Sequence, residues 1–239
     1  MDLIPEPGRG LERRSDELAV RGFRFMNIFG KRILEFPSDF SLGTLYVGEE
    51  GSLKAEFFKY GKGIEIPQDL VQLPPVKQLK PQGEIVIQEK EKILLELGPE
   101  TTANPSSLWD LPSDVFWGMQ IQRNLSIEDL EYIGSLTDLQ YLSLKELILD
   151  DTRLSLLTGL TRLRWLNLSI GDDSLNLFLS QLEGENLVFQ DITEILEMNE
   201  GIAELLSQLS ELEFLQLCGI MWLSEDVYDA IGRIQTLKC

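Results

Sequence analysis

The phrase Leu-x-x-Leu-x-x-Leu-x-Leu recurs along the second half of the chain. It falls at Leu136, Leu139, Leu142 and Leu144, at Leu160, Leu163, Leu166 and Leu168, and at Leu209, Leu212, Leu215 and Leu217. The starts lie 24 and then 49 residues apart, and the second step is close to two periods. A weaker copy with Leu187 and Phe189 fills the gap, an earlier copy spans Phe116 to Asn124, and a partial one begins at Ile234 and Leu237. Leu-x-Leu alternation sends both leucines to one side of a short strand and their neighbours to the other. The segments between phrases carry helix starts. Ser126 leads Ile127-Glu128-Asp129-Leu130, with an acid three residues after the serine, and Ser224 leads Glu225-Asp226-Val227 98 residues later. Gly134 and Gly232 close these two segments, and the stretch from Ile192 to Leu206 has helical spacing as well. The pattern predicts parallel strands with helical returns, whose leucines stack into a core that no single copy can bury.

Before Phe116 the pattern shortens. Apolar runs of strand length at Lys31–Phe36, Gly43–Val47, Ile64–Ile66, Glu84–Gln88 and Lys92–Leu97 are broken by Gly61-Lys62-Gly63, Pro74-Pro75 and Pro81-Gln82-Gly83. They predict a small β-rich domain over residues 31–105 that caps the open end of a repeat domain over 106–239. Residues 1–30 form an N-terminal arm, with Pro5, Pro7, Gly8 and Gly10 at its start. Its remainder, Leu11 to Met26, has a helical pattern rich in arginine. Folding back onto an acidic body, binding a partner and being a remnant of a longer natural chain all fit such an arm.

The phrase and its period resemble the leucine-rich repeat family, over about residues 116–239. The resemblance implies an α/β fold: a leucine-rich repeat solenoid with a parallel strand face, here preceded by the β-rich N-terminal domain. It also implies protein recognition, by analogy of fold. The chain departs from the family in one respect. The polar residue usual two places after Leu-x-Leu-x occurs only as Asn124, while Leu147, Gly171, Ile192 and Ile220 stand there in the other copies.

Charge narrows the partners. The chain holds 40 acids against 21 bases, a net charge of −19. From Phe116 onward the count is 21 acids to 7 bases. Phosphate backbones need basic surface, so nucleic acid and anionic membranes are not expected partners. A protein partner with basic surface is, through electrostatic steering. With no apolar run of about 18 residues, no membrane span is expected. Two cysteines without paired-cysteine caps favour a reducing, cytoplasmic setting.

Candidate chemistry is sparse. There is no histidine, which removes Ser-His-Asp and Cys-His catalysis and imidazole-bound zinc. No phosphate-binding glycine loop is present. The expectation is a non-enzymatic protein with no cofactor and no metal. Asp150-Asp151 and Asp172-Asp173 could offer carboxylates to calcium, but an aspartate beside Thr152 or Ser174 reads first as turn and helix-start chemistry.

The strand phrase also names an outward face. The residue before each Leu-x-Leu gives Gly118, Tyr141, Trp165, Asn186 and Phe214, with Trp117 beside the first. The residue between the pair gives Gln120, Ser143, Asn167, Val188 and Gln216, and the residue after it gives Gln122, Lys145, Ser169, Gln190 and Cys218. Tyr141 and Trp165 should touch, with Asn186 interrupting the column before Phe214. Arg123 and Arg164 flank the face, and Glu146, Glu185, Asp191 and Glu213 edge it. Aromatic rings beside adaptable polar groups suit protein binding. The expected partner-binding residues are therefore Trp117, Tyr141, Arg164, Trp165, Asn167, Phe214 and Gln216. The bland alternative is that the rings only stiffen the sheet. Two rival functions are a carbohydrate or small-ligand binding protein with its site in the N-terminal β domain, and a regulatory fragment of a larger signalling protein.

Overall fold

The computed structural model describes residues 24–28, 30–36, 43–58, 73–97, 108–109, 112–122, 125–147, 151–170, 200–218 and 223–238. Most of the N-terminal arm, the run Ile64–Ile66, the Asp172-Asp173 pair, the copy around Asn186 and Leu187, and Cys239 lie outside the described residues.

Among the described residues, ten strands form two sheets. They are β1 (Arg24–Ile28), β2 (Lys31–Phe36), β3 (Thr44–Gly48), β4 (Lys77–Leu79), β5 (Gly83–Gln88), β6 (Lys92–Leu97), β7 (Gly118–Gln122), β8 (Tyr141–Leu147), β9 (Trp165–Ile170) and β10 (Phe214–Cys218). The helices are α1 (Glu50–Phe58), α2 (Ile127–Ser135), α3 (Asp151–Ser155), α4 over 200–208 and α5 (Glu225–Arg233). A three-stranded antiparallel sheet runs β1-β2-β5, and a seven-stranded sheet runs β10-β9-β8-β7-β6-β3-β4.

This overturns the expected solenoid with its separate β-rich cap. The fold is α/β on an open mixed sheet, and strands on both sides of residue 105 belong to it. The pivot is β6, which pairs parallel with β7 on one edge and antiparallel with β3 on the other. The cause lies in its side chains. Ile93, Leu95 and Leu97 are fully buried in the same core as Met119, Ile121, Leu142, Leu144, Leu166 and Leu168. Lys92–Leu97 is therefore another rung of the leucine stack. Its outer edge is then free to recruit β3 and β4 instead of ending in a cap.

The helix starts follow their sequence signals. Ser126 Oγ accepts from the backbone N–H of Asp129 at 3.1 Å, and the Asp129 carboxylate accepts from the Ser126 N–H at 3.3 Å. Ser224 takes the same backbone conformation and accepts from the Val227 N–H at 3.4 Å. Each such cap satisfies amide groups that the first helical turn leaves without partners.

The two glycines that end these segments differ in surroundings. A Cβ on Gly134 would stand 1.9 Å from the carbonyl oxygen of Leu156, a closeness only glycine permits. A Cβ on Gly232 would meet nothing within 4 Å. Gly134→Ala is therefore expected to destabilise the protein, by about 1–3 kcal/mol or more, because the clash outweighs the helix-propensity gain. Gly232→Ala is expected to stabilise it by roughly 0.5–1 kcal/mol. Urea unfolding of both variants checks the opposite signs.

Candidate functional site

One side of the large sheet carries the apolar stack; the other carries the residues expected to bind. Pairing across β6 to β10 aligns Leu94, Gly118, Tyr141, Trp165 and Phe214 in one row. The Trp117 and Tyr141 rings stack with centroids 5.9 Å apart, Tyr141 and Trp165 meet tilted at 5.6 Å, and Trp165 and Phe214 stack at 4.7 Å. Gly118 makes the row continuous. A Cβ there would approach Tyr141 Cβ at 2.9 Å and Leu94 Cδ1 at 3.0 Å, so its absence lets the flanking side chains close over the strand.

Two points correct the expected surface. First, β10 pairs directly with β9, so nothing interrupts the row between Trp165 and Phe214; Asn186 is outside the described residues. Second, the row is covered. Trp117, Tyr141 and Trp165 retain only 6%, 5% and 8% of their exposure. Leu53 of α1, itself fully buried, shares one apolar cluster with Leu94 and these three rings, and Tyr46, Val76 and Phe214 border it. Stacked aromatic rings are a dense apolar surface, and water would be a poor neighbour for it. Here α1 supplies the cover. Burial pushes the Tyr141 phenol well above its ordinary value; Ser143, as a hydrogen-bond partner, works the other way, and the nearby Glu96 charge adds to the rise.

A polar row lies beside the aromatic one, aligning Glu96, Gln120, Ser143, Asn167 and Gln216. Glu96 organises its start. One carboxylate oxygen accepts from Gln120 and Gln122, each at 3.1 Å, and the other accepts from the Tyr46 hydroxyl at 2.7 Å. At the far end, Gln216 Nε2 donates to Cys218 Sγ at 3.3 Å. Gln120 and Ser143 are buried, and Asn167 and Gln216 are half-buried.

Arg164 bolts the cover to the sheet. It stands just before β9 and reaches Glu50 of α1 at 3.3 Å, while its other nitrogen pairs with Glu213. Lys54 holds Glu50 at 2.6 Å, and Lys238 closes the chain of charges on Glu213. Burial works to raise the Glu50 carboxyl, but the hydrogen bond to Lys54 and the charges of Lys54, Arg164 and Lys92 prevail and hold it below its ordinary value of 4.5. Burial acts likewise on Glu91, and its bonds to Lys77 and the Gln88 N–H hold that carboxyl down. A depressed carboxyl stabilises the fold above its unfolded pKa, and this contribution is lost as pH falls through the lower folded value.

Of the seven expected binding residues, three are covered rings. Arg164 is engaged in ion pairs, and Asn167, Phe214 and Gln216 are partly accessible. Arg123, Glu185 and Asp191 lie outside the described residues. Sequence reasoning missed Leu53 and Glu96. The signal for Glu96 was present: Ile93-x-Leu95-x-Leu97 repeats the strand alternation, and Leu94 precedes Gly118 by the same 24 residues that separate Tyr141 from Trp165.

Among the described residues, no helix is long and apolar enough to cross a membrane, and no group of three or more potential ligands is placed to hold a metal. No family model, no curated protein and no solved structure matches the chain.

The covered row makes two predictions. Trp165→Ala should cost about 3–5 kcal/mol in urea unfolding, as a buried ring does, whereas a freely exposed ring would cost little. Acid titration should show stability falling as pH drops below 4.5, with Glu50→Gln and Glu91→Gln each flattening that fall.

Proposed function

We propose that the chain is a non-enzymatic protein-interaction module that takes up an extended segment of a basic partner along the open edge of β10. The observation that carries this reading is the change in exposure at that strand. Leu142, Leu144, Leu166 and Leu168 are fully buried, yet all five residues of β10, Leu215 and Leu217 included, remain half-exposed. Among the described residues, β10 is the last strand of the stack, and its Leu215 and Leu217 pack on the core only in part. No strand among the described residues pairs with the outer edge of β10. The edge already accepts one backbone bond, from the Lys238 N–H to the Glu213 carbonyl at 2.9 Å. Strand addition continues such a ladder, with main-chain bonds for affinity and alternate side chains for selectivity.

Charge favours the partner's chemistry. Glu211 precedes β10, and Glu225, Asp226 and Asp229 follow it in α5, all four exposed. On a chain of net charge −19, Lys or Arg flanking an apolar core would speed docking and orient it. Phe214 and Gln216 would contact the partner's side chains, while Trp117, Tyr141 and Trp165 hold the strand from behind. A second copy is a poorer occupant, because it brings the same negative charge.

Selection of displayed peptides against the whole protein at low salt tests the reading. The expected winners alternate apolar and polar residues between basic flanks and weaken as salt rises. Strand alternation turns the Leu215 and Leu217 amides outward, so these should exchange hydrogen more slowly in the complex. Winners without that pattern, or protection that spares β10, would sink the proposal.

A further inference from the structure

Helix α5 repeats the layout of α2, 98 residues later, in different surroundings. Both serine caps take φ −72° and ψ 164°. Both helices close on the same bond: the Leu136 N–H donates to the Ile133 carbonyl at 3.0 Å, and the Ile234 N–H to the Ile231 carbonyl at 3.1 Å. The chain then returns to the sheet in the same way. The Gln140 N–H donates to the Trp117 carbonyl and the Lys238 N–H to the Glu213 carbonyl, each at 2.9 Å.

Burial separates the two. Around α2, Leu125, Leu130, Ile133, Leu136 and Leu139 keep at most 5% of their exposure. Their counterparts Leu223, Ile231, Ile234 and Leu237 are only partly buried, and Tyr228, in the place of Leu130, is 60% exposed. The cause is the neighbour. The segment that follows β8 lies against α2, so close that a Cβ on Gly134 would stand 1.9 Å from the Leu156 carbonyl oxygen. Gly232 holds the place of Gly134 in α5, and a Cβ there would meet nothing within 4 Å. Glycine inside a helix costs stability relative to alanine. At Gly134 close packing requires it; at Gly232 the packing that would require it is missing among the described residues.

We infer that the outer side of α5 docks a strand-and-return unit of a protein partner, whose backbone comes to Gly232 as that of Leu156 comes to Gly134. This docking rests on the reading of β10 as an edge that accepts a strand, and adds to it the segment that follows the partner's strand. A strand alone would lie beside Leu215 and Leu217 and leave Tyr228, Ile231 and Ile234 as they are. A return segment covers them with its own apolar side chains, as the segment after β8 covers α2. Glu225, Asp226 and Asp229 are exposed on α5, so lysine or arginine in that return segment suits the face.

The probe is a synthetic peptide of residues 141–163, the segment that covers α2, made basic by Glu146→Lys, Asp150→Lys and Asp151→Lys. Its control is the strand alone, residues 141–147 with Glu146→Lys. Each is titrated into the full chain, and hydrogen exchange is followed in the complex. Both should slow exchange at Leu215 and Leu217, and the longer peptide should bind about tenfold more tightly or better. Gly232→Ala should weaken the longer peptide by about tenfold, leave the strand peptide unchanged and not lower the urea midpoint. Should Gly232→Ala fail to fold, Tyr228→Ser, at an exposed position, reads the same loss. A longer peptide that binds no better than the strand, or one indifferent to the folded variant, would overturn the docking at α5 and leave strand addition at β10 standing. If neither peptide protects Leu215 and Leu217, both readings fall.

Discussion

The stacking of apolar pairs across successive strands is the interaction on which the rest of this molecule depends. Ile93 and Leu95, Met119 and Ile121, Leu142 and Leu144, and Leu166 and Leu168 repeat one arrangement, strand beside strand, with no exposure. At roughly 1.5–3 kcal/mol for each large side chain buried, no local preference can compete with it. Side chains alternate along a strand, so fixing these pairs on one side fixes the aromatic and polar rows on the other. A slip of one residue would exchange Leu166 for Trp165 throughout the contact. The tight fit across Gly118 leaves no room for such an exchange.

The second face is built by the same logic and then closed. The ring row would be a long apolar stripe, and α1 covers it with Leu53 while Arg164 ties Glu50 to Glu213. The middle of that face is thereby closed to solvent. At one margin β10 is the last strand among the described residues; at another, the starting ends of β6 to β8 frame an open cleft lined by charged side chains. Both margins exist because the central layers are already satisfied.

Much of this was legible in the chain and some was not. The leucine pairs, the serine caps and the alignment of Tyr141 with Trp165 follow from spacing alone, since each depends on a local rule of strand or helix geometry. The role of Lys92–Leu97 was hidden by its neighbours: Pro81 and Gly83 upstream grouped it with the short N-terminal strands, and pairing partners are not written locally. The cover was hidden more deeply. Over residues 50–56 of that helix, whose burial is described, the buried positions are Ser52, Leu53 and Ala55, one large side chain between two small ones, so no apolar stripe is legible there. The length of the step from Trp165 to Phe214 also misled, because two periods of sequence suggested an intervening strand, yet these residues are immediate neighbours.

That step has a consequence for how such a chain can change. The residue before each of β7 to β10 donates its N–H to the carbonyl of the residue preceding the aligned position in the neighbouring strand: Trp117 to Ile93 at 2.8 Å, Gln140 to Trp117 at 2.9 Å, Arg164 to Gln140 at 2.9 Å and Glu213 to Arg164 at 2.8 Å. The intervals from Leu94 to Gly118, Tyr141, Trp165 and Phe214 are 24, 23, 24 and 49 residues, but the bond that sets each strand's position is the same. Alignment is handed from carbonyl to amide, and the length of the intervening sequence does not enter. A lineage of such proteins can therefore gain or lose whole return segments without rewriting the strands, much as a zip keeps its pitch whatever cloth is sewn beside it.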